Sequence, residues 1–131
     1  MILALASVLA LVAAGAIHFS SSADAYHQSL VSERYANARE SLDNGDYQQA
    51  LHNLEMARRW LPDTTQVDQA IEITRHRFML LTQMYDTGKD LYDEGQWDHA
   101  VWYFDRVLEL EPRFQDTQQL RQRALDRAER R

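Results

Sequence analysis

The 18 residues GDYQQALHNLEMARRWLP, from Gly45 to Pro62, return fifty residues later as GQWDHAVWYFDRVLELEP, from Gly95 to Pro112. Each copy opens on Gly, sets an aromatic two residues on and an Ala five residues on, and ends on Pro. A chain of 131 residues that states one segment twice must build one supersecondary unit twice. That repeat limits the possible folds more than any other feature.

Periodicity gives the unit its secondary structure. Val31, Tyr35, Ala38 and Leu42 are spaced 4, 3 and 4 residues apart, the spacing of one helix face. Gly45, after Asn44, supplies the left-handed residue that ends such a helix. Asp46 then reads as an N-cap, with Gln49 three residues on completing a capping box. The second helix turns Ala50, Leu54 and Ala57 inward and stops before Pro62. The pair is a helical hairpin. After Pro62–Thr65 a long helix is expected over Gln66–Glu94. Its stripe runs Val67, Ile71, Thr74, Phe78, Leu81, Tyr85, Gly88 and Tyr92, with Ile73, Leu80, Met84 and Leu91 as a second apolar row. Twenty-nine residues span roughly 43 Å at helical rise. Gly95 closes this helix, and Trp97, Ala100, Val101, Phe104, Val107 and Leu108 mark the next, which stops before Pro112. Over 115–131 a thin stripe of Thr117, Leu120, Ala124 and Ala128 reads as a capping helix on the last hairpin. The expected class is all-α.

These positions resemble the tetratricopeptide repeat (TPR) family, whose unit is a helix–turn–helix of about 34 residues. In one copy Ala38, Gly45, Tyr47, Ala50, Leu54, Ala57 and Pro62 stand at the family's small, turn, aromatic and Pro positions. In the other, Gly88, Gly95, Trp97, Ala100, Phe104, Val107 and Pro112 do so. The units cover 31–64 and 81–114, with 16 further residues (65–80) between them. Small side chains such as Ala50 and Ala100 let paired helices touch. The chain departs from the pattern at Arg34 and Met84, where the family often has Trp, and at Asn37 and Thr87, where it has Leu.

The first nineteen residues, MILALASVLALVAAGAIHF, carry no charged side chain. As a helix they reach roughly 28 Å, about the hydrocarbon thickness of a bilayer. Three readings are open: a retained single-pass anchor, a signal peptide cut after Ala25, or an apolar helix in the core of a filament. Pilin-type filaments share the last plan, but Leu5 stands where they keep a Glu. Residues 20–25 read as a short Ser/Ala-rich connection to a helical domain over 26–131. With a retained signal of this kind, the domain is expected outside the cytoplasm.

A net charge of −6 argues against a general nucleic-acid binder. There is no Cys, so no thiolate metal site or thiol nucleophile is available. The five His, at 18, 27, 52, 76 and 99, are never closer than nine residues to one another, and the four Gly form no phosphate loop. No cofactor, metal or catalytic role is therefore expected. What remains is a surface for protein partners. The resemblance places Tyr35, Arg39, Tyr85, Asp86, Lys89 and Tyr92 on the groove-lining first helices of the two units. The TPR domains that grip chaperone tails have Lys and Asn where this chain has Tyr35 and Arg39, so that activity is not implied. Trp102 and Tyr103 lie off the inward stripe of their helix and are candidates for a second contact surface.

The expected function is a non-enzymatic, membrane-anchored scaffold or adaptor in a bacterial envelope assembly. A filament subunit and a secreted soluble adaptor are the alternatives. Two hairpins are fewer than a repeat array usually needs. Val67, Ala70, Ile71 and Ile73 must therefore be covered, by self-association or another subunit, or by folding back on the first hairpin.

Overall fold

Two glycine hinges set the local geometry. A computed structural model describes residues 22–131; the apolar segment Met1–Phe19 and its reading as an anchor lie outside the described residues. Gly45 and Gly95 take φ values of 75° and 78°, a left-handed conformation that costs a glycine nothing. At the first hinge the N–H of Gly45 donates to the Leu42 carbonyl (3.0 Å) and that of Asp46 to the Ser41 carbonyl (2.8 Å). At the second, Gly95 donates to Tyr92 (3.1 Å) and Gln96 to Leu91 (2.9 Å). Both are the paired bonds of a Schellman C-cap. The carbonyls of Asp46 and Gln96 then accept the N–H groups of Ala50 and Ala100, each at 3.0 Å. One residue thus finishes one helix and starts the next. Asp46 also caps with its side chain, accepting from the Gln49 N–H at 3.0 Å.

The resulting helices are α1 (Ser22–Asp43), α2 (Tyr47–Arg58), α3 (Thr65–Asp93), α4 (Trp97–Leu110) and α5 (Thr117–Glu129). The described residues are all-α, with no strand among them. α1 starts three residues ahead of the Ala25 boundary, so the Ser/Ala-rich stretch is already helical from Ser22. Pro62 and Pro112 follow helix ends as expected. Before Pro112, Glu111 is extended (φ −149°, ψ 98°), because a residue preceding proline is pushed out of the helical region. After Pro62 the Asp63 carboxylate accepts from both the N–H (2.9 Å) and the hydroxyl (2.7 Å) of Thr65. These bonds, the backbone one first, hold the Asp63 carboxyl below its usual range and fix the start of α3.

The described chain divides after His76 into two compact units. In the first, Val31, Tyr35 and Ala38 of α1 meet Leu54 and Ala57 of α2 and Val67, Ala70 and Ile71 of α3. Leu42, Leu51 and Leu61 pack around this core. The unit is therefore a hairpin closed by a third helix. It takes the fold-back solution for the start of the long helix: Val67 and Ala70 are fully buried, Ile71 nearly so, and Ile73 half-buried. The apolar surface that self-association was expected to cover is covered by the first hairpin itself.

The second unit has the same plan. Tyr85 and Gly88 of α3 pack against Phe104 of α4 and Tyr85 against Phe114, and Leu81, Ala100, Val107, Thr117, Leu120 and Ala124 complete the buried set. The buried positions of the third helix also follow the repeat: Val67, Ala70 and Thr74 in one unit, Thr117, Leu120 and Ala124 fifty residues on. Residues 65–76 are thus the counterpart of the C-terminal cap rather than an insertion. Glu55 and Asp105, again fifty residues apart, each engage an Arg from the third helix of their unit, Arg75 at 3.5 Å and Arg121. One expectation fails in α3. Leu80 is 40% exposed, so the second apolar row of that helix is only partly buried.

Small residues set how closely α3 and α4 approach. A Cβ added to Gly88 would lie 2.6 Å from Cε1 of Phe104, a ring with no exposed surface into which to move. Overpacking a core typically costs 1–3 kcal/mol, whereas Gly→Ala inside a helix returns about 1 kcal/mol. Gly88→Ala is therefore expected to lower the thermal midpoint despite its better helix propensity. Ala100→Leu, at a site with no exposed surface, should lower it further, while Gln96→Leu at the exposed hinge should leave it nearly unchanged. Equal midpoints for the Ala100 and Gln96 variants would contradict this packing.

Candidate protein-binding surface

The groove candidates separate by burial. In the first unit Tyr35 is 5% exposed and forms part of the core, while Arg39, one turn on, is exposed. In the second unit Tyr85 is likewise buried, Asp86 and Lys89 are exposed, and Tyr92 is half-buried. The two tyrosines therefore present no ring to a partner. The solvent-facing polar groups beside them are Arg39 in one unit and Asp86 and Lys89 in the other. The Lys89 ammonium lies 5.9 Å from the centroid of the Tyr85 ring, which places it over the edge of the core rather than far out in solvent.

Tyr35 and Tyr85 occupy equivalent positions but handle their hydroxyls differently. Tyr85 donates to the Asp116 carboxylate just ahead of α5. Its ring packs edge-on against Phe114, with centroids 5.8 Å apart. The Tyr35 hydroxyl is buried with no hydrogen-bond partner among the described residues. Burial pushes the Tyr35 hydroxyl up to about 12. Tyr85 is also raised, first by burial, then by the bond to Asp116 and the negative charges of Asp116 and Asp86.

Trp102 and Tyr103 form the clearest outward feature of the second unit. Trp102 is 56% exposed on α4 and Tyr103 is half-buried beside it. Their rings meet edge to face at 5.0 Å, and the Arg106 guanidinium lies 5.6 Å from the Trp102 centroid. Arg106 is itself held by Glu109 at 2.7 Å. Tyr103 and Arg106 restrain the indole without covering it. Such an aromatic loses little side-chain entropy on meeting a partner, a property shared by residues that dominate interface energies.

Several polar groups that shape the units were not apparent from periodicity. Asn53 is 2% exposed; its Oδ1 accepts from Arg34 (3.3 Å), and its Nδ2 donates to the Gln49 carbonyl (3.0 Å). Arg34 thus gives α1 and α2 a polar link. Arg77 is 7% exposed and donates to the Leu110 carbonyl at the end of α4, where a helix favours positive charge. The signal for Arg77 was its place in α3 between the stripe residues Thr74 and Phe78. At the far end of α5, the Arg131 guanidinium stacks over Trp97 at 4.3 Å and donates to the Gly95 carbonyl, tying that helix to its hinge.

In the first unit a crevice between α2 and α3 is lined by charges. Arg58 pairs with Asp68 at 2.6 Å, and Arg75 with Glu72 at 2.6 Å as well as with Glu55. The partly exposed Arg58–Asp68 and Arg75–Glu55 pairs join the two helices but contribute little stability each. No family model matches the chain, and neither does any curated protein or solved structure.

The two tyrosines give a prediction of opposite sign at equivalent sites. Removing a buried hydroxyl that lacks a partner relieves a desolvation cost of about 1–3 kcal/mol, whereas removing a bonded one forfeits about 1 kcal/mol and strands its partner. Tyr35→Phe is expected to raise the denaturation midpoint and Tyr85→Phe to lower it. The pH dependence follows from the raised tyrosines. An unfolded tyrosine ionises near 10, while in the folded chain Tyr35 keeps its proton to about 12. Its contribution is complete below pH 10 and is lost as pH rises through that window. Denaturation between pH 10 and 12 should therefore show falling stability, with a shallower fall in Tyr35→Phe. A decline unchanged by that substitution would contradict the assignment.

Proposed function

We propose that this chain is a non-enzymatic, membrane-anchored scaffold of the TPR type, which holds protein partners in an envelope assembly. The carrying observation is the restrained, outward Trp102–Tyr103–Arg106 cluster on a helical-hairpin unit. The hairpin is well suited to presenting it, because α4 is packed through Ala100, Phe104 and Val107 and leaves its opposite side to solvent. The resemblance of both repeats to TPR units supports the same reading, since that family displays helix faces to protein ligands. The anchor is the uncharged segment Met1–Phe19, long enough to cross a bilayer as a helix. Among the described residues no helix is long and apolar enough to do so. In this proposal the helical domain lies outside the cytoplasm and the partners are proteins of the same envelope.

The test is carried out on the full-length chain in its native membrane. Trp102→Ala should leave the thermal midpoint almost unchanged, because the side chain is mostly exposed. The same substitution should dissolve or shrink the chain's complex on native gels, since truncating an aromatic anchor commonly costs 2 kcal/mol or more, roughly thirtyfold in affinity. A complex indifferent to Trp102→Ala, or a chain that migrates alone, would contradict the proposal.

A further inference from the structure

Besides Trp102, the described residues that expose large apolar side chains are Tyr26, Trp60, Met79 and Leu80. Tyr26 and Trp60 are brought together in the first unit by His27, whose ring meets both of theirs. His27, near the start of α1, stacks on Trp60 in the α2–α3 turn, with centroids 4.8 Å apart and planes 28° from parallel. Tyr26, next to His27, is 65% exposed, and Trp60 is 40% exposed beyond its stacked side. The turn that carries Trp60 is fixed. Its N–H donates to Ala57 (3.1 Å), that of Leu61 to Arg58 (3.3 Å), and Leu61 packs against the core. Arg59, next to Trp60 in the chain, is exposed, while Arg58 is engaged by Asp68.

We infer that Tyr26, His27, Arg59 and Trp60 form one face that seats in the headgroup layer of the membrane holding Met1–Phe19. The inference rests on the anchor reading given above. Chain length supplies the first argument. Three chain steps of no more than about 3.5 Å each lead from Phe19 to the start of α1, and five helical steps of about 1.5 Å each lead from there to His27. The His27 backbone is thus within roughly 18 Å of the end of the apolar run, close enough for its ring and the indole stacked on it to reach the membrane surface. Chemistry supplies the second. Trp and Tyr are enriched at the membrane–water boundary, where the ring meets acyl chains and the N–H or O–H meets water, and an adjacent Arg finds lipid phosphate. The repeat supplies an internal comparison. Arg59-Trp60-Leu61 corresponds to Glu109-Leu110-Glu111 in the other unit. The turn in the unit that carries the apolar segment is basic and aromatic, whereas the counterpart residues bring no cation toward anionic lipid: Glu109 is exposed at the end of α4 and Glu111 is buried.

The experiment places the full chain in vesicles of phosphatidylcholine and phosphatidylglycerol. Trp97→Phe with Trp102→Phe leaves Trp60 as the sole tryptophan. Its emission should shift to the blue and be roughly halved by lipid spin-labelled high on the acyl chain, relative to unlabelled vesicles. Alkaline extraction reports separately whether Met1–Phe19 is inserted. Insertion with unquenched Trp60 emission overturns the inference and leaves the anchor standing; failure to insert removes both. Because Trp97 holds Arg131, the unmodified chain provides a second measurement with a phospholipid photoreactive in its headgroup. Adducts on residues 25–28 and 58–61 are expected, and adducts confined to the apolar segment would overturn the inference.

Discussion

A helical hairpin has two apolar faces to hide and one partner helix with which to hide them. Closing each hairpin with a third helix is the constraint on which the rest of this structure depends. In the first unit Val67, Ala70 and Ile71 of α3 close over Val31, Tyr35, Leu54 and Ala57. In the second, Thr117, Leu120 and Ala124 of α5 fill the equivalent places. α3 serves both units, closing one with its first turns and opening the other with its last. Its length of 29 residues follows from that double duty. The small residues at Ala38, Ala50, Gly88 and Ala100 are the complement of this arrangement. Each is buried, and each allows a close approach that a larger side chain would prevent.

The hairpins and their hinges were legible in the sequence because their signals are local. Gly45 and Gly95 needed only their own left-handed conformation, and Asp46 needed only Gln49 three residues away. Ala50, Leu54 and Ala57 carried helical periodicity on their face. The third helix of the first unit was harder to place. Val67, Ala70 and Thr74 share burial with Thr117, Leu120 and Ala124 but not residue identity, so the repeat looked shorter than it is and 65–80 looked like an insertion. Leu80 shows the complementary error: an apolar residue at helical spacing was expected inside, yet nothing in the fold covers it fully. Of the candidate site, Trp102 was legible because it lies off its helix's inward stripe. Tyr35 and Tyr85 were ambiguous because they sit on both the core stripe and the groove positions of the resemblance. The buried polar groups Asn53 and Arg77 depend on tertiary partners, which periodicity does not encode.

The functional reading lies in the differences between the copies. One frame carries Arg34 and Asn53 in its first unit and Met84 and Tyr103 in its second. It carries an unpartnered tyrosine hydroxyl in one and a carboxylate-bound one in the other. It carries Arg59-Trp60-Leu61 in one and Glu109-Leu110-Glu111 in the other. Keeping the frame while changing the residues it carries gives one short chain two chemically distinct units.

The most direct test is amide hydrogen exchange, read by mass spectrometry on the full chain in a membrane mimetic. Global stability protects a helix only if it is packed into a cooperative unit. If residues 65–76 close the first hairpin, their amides should exchange as slowly as those of Leu51–Ala57 in α2. Fast, fraying exchange across 65–76 beside a protected α2 would contradict the three-helix unit.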